Sequence, residues 1–181
     1  MRGDAPCSTD EELARARTGE QTAFAALLRA HQASVFSMAL RMLGSREAAE
    51  DLAQEVFLKL HRSLASIESA DHLAYWLRRV TTHRCIDRLR RQKQMQIAPL
   101  DEALELAGSA DTRDPLLARR LNELLSRLTP TARAVVLLRY QEDLDPVQIA
   151  HLLEIPLNTV KSHLKRSLAT LRAAWAGHVE A

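Results

Sequence analysis

The sequence predicts an all-α protein of two helical domains joined by an acidic, flexible linker, and three observations support this. Glycine is scarce, five in 181 residues, while Leu, Ala and Arg dominate, a balance that favours helices over strands. Apolar residues recur at three- and four-residue spacing in segment after segment, with no strand signal anywhere. In the second half a capping side chain precedes proline three times, at Asp114-Pro115, Thr129-Pro130 and Asp145-Pro146, each a helix start.

A short helix is expected over Asp10 to Arg17. The next, "EQTAFAALLRAHQASVFSMALRML", runs from about residue 20 to 43 and stops at Gly44, a residue suited to the position after a helix. Ser45 then caps "REAAEDLAQEVFLKLHRSL", whose acids Glu47, Glu50 and Asp51 suit the positive end of the helix dipole. Ala49, Leu52, Ala53, Val56, Phe57, Leu60 and Leu64 form its core stripe. The opposite face shows Asp51, Gln54, Glu55, Leu58, Lys59 and Arg62. A leucine among acids and amides is either incidental surface or part of a docking face for a basic protein.

The polar stretch "ASIESADH" breaks the pattern before a third long helix from about Ala70 to Gln94. Leu73, Trp76, Leu77 and Val80 make one apolar stripe, while Ile86 and Leu89 lie nearly opposite. The helix is therefore either covered from two directions or bent near Thr81 to Arg84. Between Arg78 and Lys93 it carries seven bases against one acid, preceded by Tyr75 and Trp76. Basic residues beside aromatics suit a nucleic-acid surface, especially unstacked bases, and core packing is the other reading of Trp76.

From about Met95 to Arg113 the periodicity decays into a stretch holding Asp101, Glu102, Glu105 and Asp111, read as the acidic linker. The domains are thus expected at residues 8–94 and 114–176, with 95–113 between them. Helices should begin near 115, 130 and 146, and a fourth near 156 to 158. On that last helix Leu157, Val160, Leu164, Leu168, Leu171 and Trp175 share one stripe. Asn158, Ser162, Lys165 and Arg166 point away from it, and Lys161 and Arg172 flank it. The segment before it, "LDPVQIAHLLEIP", supplies a short helix and a tight connection, which together fit a helix-turn-helix with its second helix in a major groove. About four phosphate contacts imply a salt slope near −3.6 in log K, with roughly 1–3 kcal/mol for each good base contact. Such binding is weak for one module, and a second DNA-contacting region or a large partner is expected.

Several classes are excluded by what the chain lacks. Cys7 and Cys85 are the only cysteines and fit neither a disulfide framework nor a zinc spacing. The seven histidines are scattered, and no phosphate-binding glycine loop or nucleophile elbow appears, so neither metal, cofactor nor enzymatic activity is expected. The N-terminus has no signal-peptide apolar region and no stretch has the length of a membrane span, so a cytoplasmic protein without membrane insertion is expected. Cys85 is read as a small buried residue.

"DLAQEVFLKLHR", then "WLRRVTTHRCIDRLRR", then "NTVKSHLKRSLATLR" resembles, in order and spacing, the extracytoplasmic-function sigma factors of the sigma-70 family of bacterial RNA polymerase. The resemblance implies a non-enzymatic factor that binds core polymerase through the β′ clamp helices and the β flap and directs promoter-specific initiation. It also implies control by an anti-sigma factor. Asp51, Gln54, Glu55 and Leu58 match the segment that docks on the clamp helices. The loop from about Ile67 to His72, including Glu68, and the helix through His83 match the part that captures an unpaired base of the −10 element. Trp76, Arg78, Arg79, Arg84 and Arg88 are then candidates for single-strand or backbone contacts. The last helix matches the −35 reader, with Asn158, Ser162, Lys165 and Arg166 nearest base edges, Lys161 and Arg172 on phosphates, and Thr159 among the DNA-binding residues. His83 stands where the family usually has asparagine, and "IESAD" where a loop with Phe-Arg-Gly is common. Asn158 replaces a common glycine, and Gln148 a common glutamate. The rival reading is a stand-alone helix-turn-helix regulator, whose first half would have to be a sensor.

Overall fold

In the computed structural model, residues 9–95 and 115–176 are described, and every regular element among them is helical. The acidic linker expected between the domains lies outside the described residues. Helix α1 spans Thr9–Arg17, α2 Gln21–Leu43, α3 Arg46–Ser63 and α4 Ala70–Met95, with one 3-10 turn at Leu64–Ser66. The second set is α5 Pro115–Ser126, α6 Pro130–Tyr140, α7 Pro146–Leu153 and α8 Leu157–Ala176.

The punctuation behaves as its chemistry dictates. Gly44 takes φ 76° and its N–H returns to the Leu40 carbonyl, a left-handed closure that costs a side chain-bearing residue more than glycine. Ser45 accepts a hydrogen bond from the Ala48 N–H, and Thr129 accepts one from Ala132 N–H. At α7 the cap is reciprocal: Asp145 accepts from the Val147 and Gln148 N–H groups, and the Gln148 side chain accepts from the Asp145 N–H. Glutamine serves this box as well as glutamate would, because the backbone donor needs only an oxygen.

The first four helices bury Leu13, Leu27, Met42, Leu52, Leu60 and Leu73 almost completely. In the second set Leu125, Leu138, Ile149, Leu152 and Val160 play the same part. These are not two separate cores. Buried residues of both sets form one continuous apolar cluster, joined where α4 meets α6 and α7 and where α2 meets α6. This resolves the two apolar stripes of α4. The helix is unbroken from Ala70 to Met95, with α1, α2 and α3 on one side and α6 and α7 on another. Coverage from two directions is what its sequence encodes.

Candidate nucleic-acid interface

On α8 the side chains sort as the 100° periodicity requires. Val160 is fully buried, Leu164, Leu168 and Leu171 are half-buried, and Asn158, Lys161, Ser162, Lys165, Arg166 and Arg172 are exposed. Thr159 is half-buried beside them. Among the described residues, no carboxylate lies within ion-pair distance of Lys161, Lys165, Arg166 or Arg172. The Arg166 guanidinium lies back along its own helix, its Nε donating to the Ser162 carbonyl at 3.3 Å. Trp175 remains 41% exposed and is roofed by Arg120, whose guanidinium carbon lies 4.5 Å from the ring centroid. The turn that sets α8 across α7 is made by Glu154, in left-handed conformation at φ 55°.

The basic residues of α4 are placed differently: most have partners. Arg78 Nε donates to Glu142 at 2.9 Å, and Arg79 pairs with Glu154 at 2.5 Å. His83 Nε2 lies 3.1 Å from the Leu152 carbonyl. All three partners belong to the second set of helices or its turns. Arg84 and Arg88 instead face α3, pairing with Glu55 at 3.3 Å and Asp51 at 3.5 Å. The two acids expected to form the docking face thus sit beside two of the expected DNA contacts. Gln54 and Leu58 are exposed on the same helix, Leu58 at 62%. A shallow groove lined by Phe36, Arg46, Glu50, Ala53, Gln54 and Phe57 runs beside them between α2 and α3.

Helix α4 begins at Ala70, as its sequence predicts, so His72, which the family match groups with the loop, lies in the first turn of the helix. Ser69 accepts from the His72 N–H, and His72 Nδ1 accepts from the Glu68 N–H at 3.3 Å. Ile67, expected among the DNA-contacting residues, is fully buried and in this arrangement anchors the loop to the core. An isolated apolar residue between two polar runs was the available signal. Trp76 is half-buried against the same core, as its stripe with Leu73 and Leu77 requires. Glu68 is exposed.

Arg133 was not singled out by the sequence. It lies in the apolar run of α6, is 5% exposed, and donates to the Met42 carbonyl of α2 and, at 3.3 Å, to the Asn122 carbonyl. Burial lowers its pKa to about 10.

Residues 27–95 match the Sigma-70 region 2 family and residues 118–171 the Sigma-70 region 4 family, together more than half of the chain. The sigma factor SigK of Mycobacterium bovis is 30% identical over 175 residues, spanning 90% of this chain and 91% of its own. The chain belongs to the extracytoplasmic-function sigma factors. SigW of Bacillus subtilis is similar at 27% identity, over 90% of this chain and 94% of that one. Among solved structures, CnrH in complex with the cytosolic domain of CnrY superposes with a TM-score of 0.67 at 21% identity, over 94% of this chain and 99% of that one. RpoE in complex with the anti-sigma factor NepR from Bartonella quintana gives 0.62 at 19%, over 83% and 94%. These two show a shared fold. In this sigma factor α2 to α4 are therefore region 2, and α5 to α8 region 4. Sigma factors are initiation factors without catalytic activity. No described helix is long and apolar enough to cross a membrane, and no described cluster of His, Cys, Asp or Glu is set to hold a metal ion.

Proposed function

We propose that this sigma factor docks on core RNA polymerase in the cytoplasm and selects promoters through two separate DNA contacts. The exposed face of α8 reads the −35 element: Asn158, Thr159, Ser162, Lys165 and Arg166 lie toward base edges, and Lys161 and Arg172 toward phosphates. The −10 element is met by α4 and the loop before it, through Glu68, His72, Arg78, Arg79, His83, Arg84 and Arg88, with Trp76 beside them. Asp51, Gln54, Glu55 and Leu58 form the contact with the β′ clamp helices, and region 4 meets the β flap. An anti-sigma factor is the regulatory partner that fits a chain of this fold.

The observation that carries this reading is the unneutralised basic face of α8, which has exposed cations with no acidic partner among the described residues. A helix stabilised by its own surface pairs would not leave them so. A stand-alone regulator would need the same face but not the acidic one on α3.

The test is promoter-resolved transcription by core polymerase with the protein added, alongside a core pull-down with the Asp51→Lys, Glu55→Lys double variant. Core binding is expected to fall about tenfold or more, because the reversal places like charge in the contact. The exposed pairs with Arg88 and Arg84 stabilise the fold by only about 0–1 kcal/mol each, so the helical circular dichroism should persist. Unchanged core binding by the folded variant would remove the docking role. A footprint by the free protein as tight and specific as that of the polymerase complex would favour the stand-alone regulator.

A further inference from the structure

We propose that α1 is a positioning element for the loop before α4, with Asp10 and Arg17 holding that loop at its two ends so that it selects the −10 base. The proposal rests on the reading of that loop as a promoter contact. The residues matched to region 2 begin at 27, so α1 lies outside that match. Leu13 and Ala16 bury its apolar side in the core, and the helix packs along α2. Gly19, at φ 93°, turns the chain between the two helices, and Arg15 Nε donates across that turn to Glu20 at 2.8 Å. This seating makes no use of Asp10 or Arg17, which are exposed.

Asp10 and Arg17 are seven positions apart, two turns of helix, which puts them on one face about 10 Å apart along the axis. Both reach the loop. Asp10 Oδ1 accepts from the Ala70 N–H at 2.7 Å, across 60 positions of sequence. An Arg17 guanidinium nitrogen donates to the Ala65 carbonyl at 3.4 Å. Ala65 lies in the 3-10 turn that continues α3, and Ala70 is the first residue of α4. The loop is gripped where it leaves one helix and where it enters the next.

Each grip has a physical reason. The first N–H groups of a helix have no partner within it. At α4 the Ser69 hydroxyl takes the His72 N–H at 3.1 Å, and the Asp10 carboxylate takes the Ala70 N–H. The helix dipole favours a carboxylate there, and the bond is charge-assisted. Arg17 does the reverse, setting a cation on a carbonyl beyond the end of α3. Its longer bond makes it the weaker hold. Between the two, Ile67 is buried and the Ser66 hydroxyl donates to the Ser63 carbonyl at 2.7 Å. The Glu68 N–H donates to His72 Nδ1, which leaves the Glu68 side chain exposed on a braced backbone. A loop ordered before DNA arrives loses little conformational entropy on binding. It also keeps its contact groups fixed relative to the base, which discrimination between bases requires. Asp10 and Arg17 act through the loop and touch no DNA themselves.

The experiment reconstitutes core polymerase with the full chain carrying Asp10→Ala, Asp10→Asn, Arg17→Ala or Glu68→Ala. Transcription is measured on a promoter that the wild type uses and on panels of single-base substitutions in its −10 and −35 elements. Asp10→Ala should shrink the preference for the best −10 base about fivefold, the shift in loop ordering expected from a lost helix cap. Asp10→Asn, which keeps an acceptor oxygen, should restore most of it. Arg17→Ala should cause a smaller loss in the same direction, and it decides the matter if Asp10→Ala fails to fold. Preferences at −35 and affinity for core should match the wild type in all three. Weaker transcription from every promoter with base preferences intact would overturn the proposal, since Asp10 would then only stabilise the fold. So would an equal flattening of both panels. An unchanged −10 preference in Asp10→Ala with a changed one in Glu68→Ala would overturn the positioning role and leave the loop as the promoter contact. Unchanged preference in both would overturn the promoter reading of the loop, and the positioning role with it.

Discussion

At the junction of the two regions, the Cys85 thiol and the Arg133 guanidinium are buried close enough to feel one another electrostatically. Burial pushes the thiol up to about 12, against the opposing pull of Arg88 and Arg133. A thiol that keeps its proton and stays out of solvent is a poor nucleophile, so Cys85 is a packing residue. The raised value has a consequence for stability. In the unfolded chain the thiol ionises near its ordinary value of 9, whereas in the folded chain it keeps its proton up to about 12. Over that window the unfolded state binds fewer protons, and stability falls as pH rises. Arg133, lowered to about 10, works in the opposite direction, but only above that value. Between pH 8 and pH 10 the protein should lose about 1 kcal/mol through Cys85. Urea unfolding at the two pH values should show this loss in the wild type and its removal in Cys85→Ala. At this scale the sequence revealed Cys85 as a small buried residue, but not which groups partner the arginines. Arg78 and Arg79 read as free cations because their partners, Glu142 and Glu154, lie 64 and 75 positions away. Nothing in local periodicity couples such distant residues. Ile67 was misplaced for the opposite reason: its neighbours are polar, yet burying one isoleucine needs no neighbour of its kind.

Elements were far more legible, because they depend on local chemistry. The starts at Pro130 and Pro146 and the stop at Gly44 fall where capping side chains and a left-handed glycine put them. The α3 stripe is buried as its spacing demands, from Ala49 through Leu52 and Val56 to Leu60. For α4 the periodicity posed a choice between a bend and two-sided cover, and only the second set of helices could settle it. For α8 the proposed division between base and phosphate contacts leads to a sharp comparison. Arg166→Ala should reduce discrimination among −35 variants, by roughly 1–3 kcal/mol at the position it contacts. Lys161→Ala should weaken binding to all sequences alike and lower the salt slope by about one. Polymerase-dependent binding to a panel of −35 variants at several salt concentrations makes the measurement. Equal effects across the panel would remove the distinction between base and phosphate contacts.

Considered whole, the described molecule has a single apolar cluster running through both regions, and that continuity sets how it should come apart. Trp76 lies in region 2 and Trp175 in region 4, so each can report on its own half. Variants that keep one tryptophan, with the other changed to phenylalanine, should unfold in urea with coincident midpoints. Arg133→Met, which removes the donor from the Met42 and Asn122 carbonyls, should destabilise the protein by about 2 kcal/mol and separate the two midpoints. Coincident midpoints in that variant would show that Arg133 does not couple the halves. The bond to Met42 reaches further than stability. Met42 lies in the last turn of α2, where backbone oxygens have no partner within the helix, so a side chain of region 4 completes the end of a region 2 helix. Only Gly44 and Ser45 separate that end from α3, the helix that carries Asp51, Glu55 and Leu58. Arg133 is thus the outside support of the elbow between α2 and α3, and its removal is expected to give α3 more freedom at its root. A buried cation of one half thereby braces the footing of an acidic surface on the other, at a point no surface contact reaches.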